Sequence, residues 1–418
     1  MDTIEKYFLK IICSHIRGKD ISDELKDISP DELTALYRIS IIHSVFPMFY
    51  DVVCKTESFA GLDDEIKSLW KRQTIVAVAS QAVKTESFFQ IYRHIKDAGL
   101  NCLVIKGIIC RQMYPKPDCR TSNDEDIYIS KDEFGACHKL ILENGFETKD
   151  KDDFDITDDI HVISYVDAGS GLHIELHQTL FEEDSKAYGY MNSYFNDAIK
   201  NAVAIQVNDN ELKTLEYTEN LLYLICHAFK HFVMRGFGIR QLCDILLFAE
   251  NYGSKINWSY IEKTTKEIGA DVFFVNLIDI GERYFEFSRE KACMRDAFSY
   301  IVAESQDLLD DILDAGIFGK SSDSRHHSNS MTLSAMENRN DGAGSKKAAW
   351  GAVFPRLEIM KKRYKILNKL PFLLPLMWIV RSFSFLFSKK NAENNSAKDT
   401  LRFGKKRIEL LKKYKIIK

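Results

Sequence analysis

The sequence predicts an α+β protein: a small sheet of short strands in the first half of the chain, with helical regions before and after it. Three observations carry that reading. Apolar residues recur at helical spacing through the first 95 or so positions. Between about Asn101 and Ile205 the pattern changes to short runs with period-2 alternation. From Glu219 to about Gly316 helical spacing returns, in a chain without proline from 118 to 354. At 418 residues the length suggests two to three domains. The apolar and charged fractions, 45% and 28%, are those of an ordinary soluble protein.

The first helices are expected where Tyr7–Cys13 and Asp31–Tyr50 place apolar groups on one face, with Ser29-Pro30-Asp31 as the start signal of the second. A long amphipathic helix follows from Glu65 to Ala98 and stops at Gly99, a residue type that tolerates the left-handed turn after a helix. Strands are expected at Cys102–Ile105, Asp124–Ile129, His161–Val166 and Leu172–Leu176, with a helix over Lys131–Glu143 that closes at Gly145. The acidic run 149–159 reads as a solvated loop in preference to extra metal ligands. Serine, asparagine, glycine and the pair His326-His327 make residues 319–350 a flexible linker by composition. The expected organisation is therefore a helical region 1–98, an α/β core 99–205, a helical domain 206–318, the linker 319–350 and an apolar, basic segment 351–418.

Nine cysteines without a CxxC pair point to reduced, mostly buried thiols. The opening Met-Asp-Thr-Ile-Glu-Lys lacks a signal-peptide pattern, so a cytoplasmic chain is expected. Residues 370–387 form an apolar run with two prolines and Arg381, which argues against a membrane span. Residues 389–418 hold eleven Lys or Arg against three acids, although the whole chain has a formal net charge of −4. Membrane-surface contact through this end is one reading of that asymmetry; a basic tail in solvent, with an apolar helix packed on the helical half, is the other. Nucleic-acid binding is not expected, because the rest of the chain is acidic.

Chemistry is suggested by Asn123-Asp-Glu-Asp-Ile-Tyr128, in which Asp124 and Asp126 leave the same face of an extended strand. Such a pair suits a hard divalent ion, which is commonly held by one or two carboxylates together with substrate phosphates. In Leu172-His-Ile-Glu-Leu-His177 the same alternation sends His173, Glu175 and His177 one way and the leucines and isoleucine the other. An Asp-x-Asp pair alone arises by chance among 61 acidic residues. Its weight here comes from order: a strand ending in Lys106-Gly107, then Arg120, then the aspartates, then Glu175 on a later strand.

Taken together, Val104-Ile-Lys-Gly107, Tyr114-Pro115, Arg120, Asp124 with Asp126, and Glu175 with His177 resemble the nucleotidyltransferases of the polymerase-beta superfamily, within it the group of uncharacterised nucleotidyltransferases. The helical stretch Leu221–His231, Arg240–Asp244 and His43–Pro47 resemble the group as well, so the likeness extends over about residues 1 to 318. The resemblance implies a small mixed-sheet core and transfer of a nucleoside monophosphate from an NTP, its substrate, to a hydroxyl acceptor, with Mg²⁺ or Mn²⁺ as cofactor. The acceptor is left open among a small molecule, a sugar and a protein side chain. It further implies that Asp124 and Asp126 bridge two ions and that Glu175 completes the acceptor-side metal or acts as base, two roles the sequence does not separate. Lys106 and the backbone at Gly107 are expected at the β- and γ-phosphates. Arg120 is expected either on a phosphate or in a salt bridge with an acid. His177 is expected beside the carboxylate or in the acceptor pocket.

Two positions depart from the superfamily pattern. Glu125 stands where an apolar residue is usual, and it needs solvent or a basic partner. Ile108 replaces the serine of the glycine-serine pair. These departures keep a catalytically silent nucleotide-binding or regulatory protein of the same fold in view, and residues 370–418 keep a peripheral membrane component of polysaccharide assembly in view. Zinc is a further alternative at His173-x-Glu175-x-His177, and at His227 and His231, which are spaced i,i+4 but lack the glutamate of a zinc-protease helix.

Overall fold

The computed structural model describes residues 1–148, 160–234, 236–316, 331–337, 357, 360–361, 364–387 and 397–417. The expected acidic loop 149–159 lies outside them, as do residues 388–396 of the basic end. The described chain forms two compact units, Met1–His227 with Ile239–Ala303, and Ala228–Gly238 with Glu304–Lys418.

In the first unit the N-terminal helices are α1 (Thr3–Arg17), α2 (Pro30–Ile42), α3 (Phe46–Val53), α4 (Glu57–Ala60) and the 34-residue α5 (Asp64–Asp97). Capping boxes start α1 at Asp2 and Glu5 and α2 at Ser29 and Glu32, each satisfying backbone N–H groups that have no partner inside the helix. The Ser29-Pro30 signal is thus a cap with proline in the first helical turn.

A five-stranded sheet follows, built from β1 (Cys102–Ile105), β2 (Asp124–Ile129), β3 (Glu147–Thr148), β4 (Val162–Val166) and β5 (His173–His177). Its order is β1-β2-β5-β4-β3, with β2 and β5 parallel and every other pair antiparallel, a mixed sheet. Between the strands lie the short α6 (Gly107–Arg111) and α7 (Lys131–Glu143). One face of the sheet carries Ile127, Ile129, Ile163, Tyr165, Ile174 and Leu176 into a core shared with Phe88, Ile91 and Ile95 of α5 and Phe134 and Ile141 of α7. Burial on this scale, at about 25 cal/mol per Å² of apolar surface, pins the strand register, because a one-residue slip would turn these groups to the other face.

One element was not expected. A hairpin of β6 (Val203–Val207) and β7 (Asn210–Thr214) forms a second, two-stranded sheet where the helical domain was expected to begin. Val203-Ala-Ile-Gln-Val207 does alternate, and Asn208 takes a left-handed φ of 50° in the turn. Val207 and Leu212 join the sheet core. Helices α8 (Tyr217–Met234), α9 (Ile239–Tyr252), α10 (Trp258–Ile268) and α11 (Asp271–Tyr284) complete the helical half as far as Tyr284. All nine cysteines are free, seven of them buried.

In the second unit, helix Ala397–Lys413 buries Ile408, Leu410 and Leu411, and the Arg407 guanidinium meets both oxygens of Asp311 at 2.9 and 2.7 Å. Within the stretch expected as a linker, residues 331–337 are helical and bury Met331, Thr332, Ala335 and Met336, while the rest, with His326 and His327, lies outside the described residues. The Met331 side chain packs at Gly404 so closely that a Cβ there would lie 2.4 Å from Sδ. Helix Leu374–Phe387 follows an apolar run, yet none of residues 370–380 is buried. Leu373, Leu374, Met377 and Trp378 are half-buried and the other residues of this stretch are exposed. No described helix is long and apolar enough to cross a membrane.

Candidate active site

Parallel pairing of β2 with β5 sets Asp124 opposite His173, Asp126 opposite Glu175 and Tyr128 opposite His177. Because side chains alternate along both strands, the two aspartates, Glu175 and His177 all leave the face turned away from the core. His177 Nε2 lies 2.9 Å from Asp126 Oδ1 and 3.5 Å from Glu175 Oε2. Asp126, Glu175 and His177 each bring one ligand atom into a group spanning no more than 4.8 Å, the metal-capable cluster of the described residues. Asp124 stands beside this cluster and His173 is exposed outside it, so the His-x-Glu-x-His zinc set is replaced by one in which Asp126 takes the place of His173.

The turn after β1 delivers the cation. Lys106 adopts φ 53° and ψ −123°, a strained conformation for a residue with a side chain. Its ammonium donates to Asp126 Oδ1 at 3.0 Å and lies 3.3 Å from His227 Nε2. Gln241 contacts His227 Nδ1 at 3.3 Å, and the Lys106 ammonium is 6.0 Å from the centre of the Tyr223 ring. His227 thus serves a polar contact; His231 belongs to the second unit.

These placements split the two aspartates. Burial pushes the Asp124 carboxyl up to about 6, helped by the neighbouring charge of Asp126. Burial acts the same way on Asp126, but the Lys106 ammonium and the His177 hydrogen bond outweigh it and hold that carboxyl down to about 2. For Lys106, burial works against the charged form, and the charge of Asp126 overcomes it and moves the ammonium above its ordinary range. His177 is likewise raised against its burial, by hydrogen bonds to Asp126 and Glu175.

On the opposite face of β2, Glu125 is buried and has the basic partner it needs. Arg111 Nη1 reaches Glu125 Oε1 at 2.5 Å, Ser122 donates at 3.0 Å, and the backbone N–H of Ile108 donates to Oε2 at 2.7 Å. Arg111 also donates to Thr85 on α5. The expectation that backbone amides at this turn meet phosphate is corrected for Ile108, whose N–H is already taken by Glu125. Gly107 is required here for space: its φ is 22° and an added Cβ would fall 2.0 Å from Glu125 Oε2.

Arg120, expected on a phosphate or in a salt bridge, is buried and directs Nε at 3.0 Å, together with Nη2, onto the two oxygens of Asp244. Tyr114 donates to the same carboxylate at 2.8 Å. The side chain of Arg240 donates to the carbonyl of Thr121, and burial, with the nearby charge of Arg120, lowers it to about 10. Tyr114, Arg120 and Asp244 are therefore one buried brace that ties the segment before β2 to α9. Sequence reading did not single out Arg111, Ser122, Tyr223 or Gln241, and only the demand of Glu125 for a cation pointed toward the first.

Residues 29–286 match the model of a family described as uncharacterised nucleotidyltransferase, and the chain belongs to that family. Membership supports nucleotidyl transfer as the general activity. No curated protein and no solved structure matches the chain.

Proposed function

We propose that the protein transfers a nucleoside monophosphate from an NTP to a hydroxyl acceptor, using a divalent cation held on the β2–β5 face. The observation that carries this reading is the register itself, which brings Asp126 and Glu175 side by side on parallel strands with Asp124 two positions along and His177 bridging the pair. The donor set fits the ion: two carboxylates suit Mg²⁺ or Mn²⁺, and the imidazole is a ligand that Mn²⁺ accepts more readily than Mg²⁺. Asp126, Glu175 and His177 would hold one ion, with Asp124 as a further carboxylate for a second. When bound, the ions would supply charge neutralisation at the reacting phosphate.

The remaining work falls to side chains. Lys106 holds Asp126 in its ionised form and is the nearest cation on this face for the triphosphate. Glu175, with a side chain 35% exposed, is the carboxylate that an entering hydroxyl can reach, where it would orient that group and accept its proton. The Glu125–Arg111 pair fixes the turn that aims Lys106, so the unusual charge inside the aspartate motif has a supporting role in this reading. It removes one motive for regarding the protein as catalytically silent.

The test is incubation of the protein with each NTP, Mg²⁺ or Mn²⁺ and a cell extract, followed by mass spectrometry for a species that gains a nucleotide. Metal-dependent transfer that is lost in Asp126→Ala is the expected outcome. Tight NTP binding with no turnover under any metal would replace transfer by binding alone.

A further inference from the structure

The residues around helix Leu374–Phe387 combine two properties that a soluble surface rarely shows together. The first is apolar exposure. Phe372 is 73% exposed, Ile379 54% and Leu376 50%, and Ile366, Leu370 and Val380 are also exposed. A large apolar patch left in water normally marks a binding surface. The second is charge. From Ile359 to Ala392 the sequence contains no acidic residue, while Lys361, Lys362, Arg363, Lys365 and Lys369 precede the apolar run and Arg381, Lys389 and Lys390 interrupt or follow it. Lys365 and Lys369 are exposed beside Leu370 and Phe372.

We propose that the described residues of this segment, Lys361 and 364–380, dock the protein on an anionic lipid surface by inserting Phe372, Leu376 and Ile379 into the headgroup region while Lys361, Lys365 and Lys369 meet lipid phosphates. The helix of 14 residues is about 21 Å long at 1.5 Å per residue, short of the roughly 30 Å hydrocarbon core, so it lies in the interface and does not span. The apolar groups need an apolar medium and the flanking cations need a negative one, and a membrane of acidic lipids offers both within a few ångströms. A second copy of this chain would present the same cations to themselves, which disfavours self-association through this face. The inference is independent of the catalytic reading, since it uses none of the residues assigned to the β2–β5 site.

The experiment is co-sedimentation of the full-length protein with phosphatidylcholine vesicles containing 30% phosphatidylserine, with pure phosphatidylcholine vesicles and with no vesicles. Three proteins are compared: the native chain, Phe372→Ser/Leu376→Ser/Ile379→Ser, and Lys361→Gln/Lys365→Gln/Lys369→Gln. All six positions are exposed or partly exposed, so the fold is expected to survive, and unchanged far-ultraviolet circular dichroism and melting confirm it. Expected are pelleting with the acidic vesicles that weakens at 0.5 M salt, at least a tenfold loss of binding in the serine variant, and a loss in the glutamine variant of about fivefold for each lysine near the surface. Three results would overturn the proposal: no pelleting, equal pelleting with pure phosphatidylcholine, or unchanged binding by the serine variant. A native chain that is dimeric, becomes monomeric in the serine variant and ignores vesicles would assign the face to a second copy.

Discussion

Asp124 and Asp126 are two residues apart on one face of one strand, and exchanging each for asparagine is expected to move stability in opposite directions. In the metal-free chain Asp124 is raised from an ordinary 3.8 to about 6, because burial and its neighbour oppose its charge. Ionising it thus costs the folded state about two pKa units, or roughly 3 kcal/mol at neutral pH. The sign follows: a carboxyl with a raised folded pKa destabilises above that pKa, and the penalty fades as pH falls from about 6 to about 4. Asp124→Asn removes the charge. Asp126 is the reverse case, held down to about 2, so its stabilisation is fully present above pH 4 and is lost only as pH falls toward 2. Asp126→Asn also takes from Lys106 its contact anion and from His177 the nearer of its two carboxylates, a loss of about 3 kcal/mol for a broken buried pair.

For a first unit of roughly 290 residues the unfolding entropy is about 0.6 kcal/mol per kelvin, so each change corresponds to about 5 °C in melting temperature. The assay is thermal unfolding by circular dichroism in EDTA, at pH 7.5 and again near pH 4. Asp124→Asn should melt about 5 °C higher than the native chain at pH 7.5 and within about 1 °C of it near pH 4, while Asp126→Asn should melt lower at both. Equal shifts of one sign for the two variants would refute the stronger pairing of Lys106 and His177 with Asp126 than with Asp124. A gain for Asp124→Asn that persists at low pH would refute charge as its cause.

Three further outcomes follow from the same geometry. Arg111→Met strands the Glu125 carboxylate and should destabilise the first unit by about 3–5 kcal/mol, with most of that recovered in Arg111→Met/Glu125→Gln, which keeps an acceptor for the Ile108 amide; denaturant titration reads both. Gly107→Ala forces a methyl group onto Glu125 and should cost about 2–4 kcal/mol and weaken metal binding, because Lys106 and Glu125 share that turn; melting and Mn²⁺ titration by electron paramagnetic resonance check it. Mn²⁺ should bind the native chain more tightly than Mg²⁺, and His177→Ala should narrow that gap; calorimetric titration of both ions decides.

Much of the core was legible because its signals are local. Short runs, a continuous apolar one for β1, located β1 and β2 to the residue, and the limits of α7, Lys131 and Glu143, agree with apolar spacing closed by Gly145. Glu125 illustrates where legibility ends: its need for a cation follows from burial, yet Arg111 as that cation depends on the turn at Gly107, which sequence spacing does not encode. Arg120 was open between phosphate and acid, and the choice was made by Asp244, 124 positions along the chain. The hairpin Val203–Thr214 escaped notice since its outer positions are polar and its turn, Asn208-Asp209, sits between runs of only five residues. At residues 370–380 the sequence left membrane contact and helix packing open, because an apolar run states what a segment would bury without saying against what.

The distribution of charge around β2 bears on why a divalent cation belongs to the proposed reaction. On the core side, Glu125 and Arg111 cancel and are sealed from water, so they contribute little field at the opposite face. Ahead of the strand, Arg120 is consumed by Asp244 in the same way. On the open face Asp124, Asp126 and Glu175 meet Lys106, with His177 shared between two of the carboxylates and the Arg240 charge felt at Asp124. In the proposed reaction, three carboxylates at this face would oppose the approach of an anionic triphosphate. Lys106 is already bound to Asp126, and the Ile108 amide is turned to Glu125. In that reading a cation entering with the nucleotide would let substrate and carboxylates approach, and the oxygen and nitrogen donors converging within 4.8 Å are the ligands that would receive it.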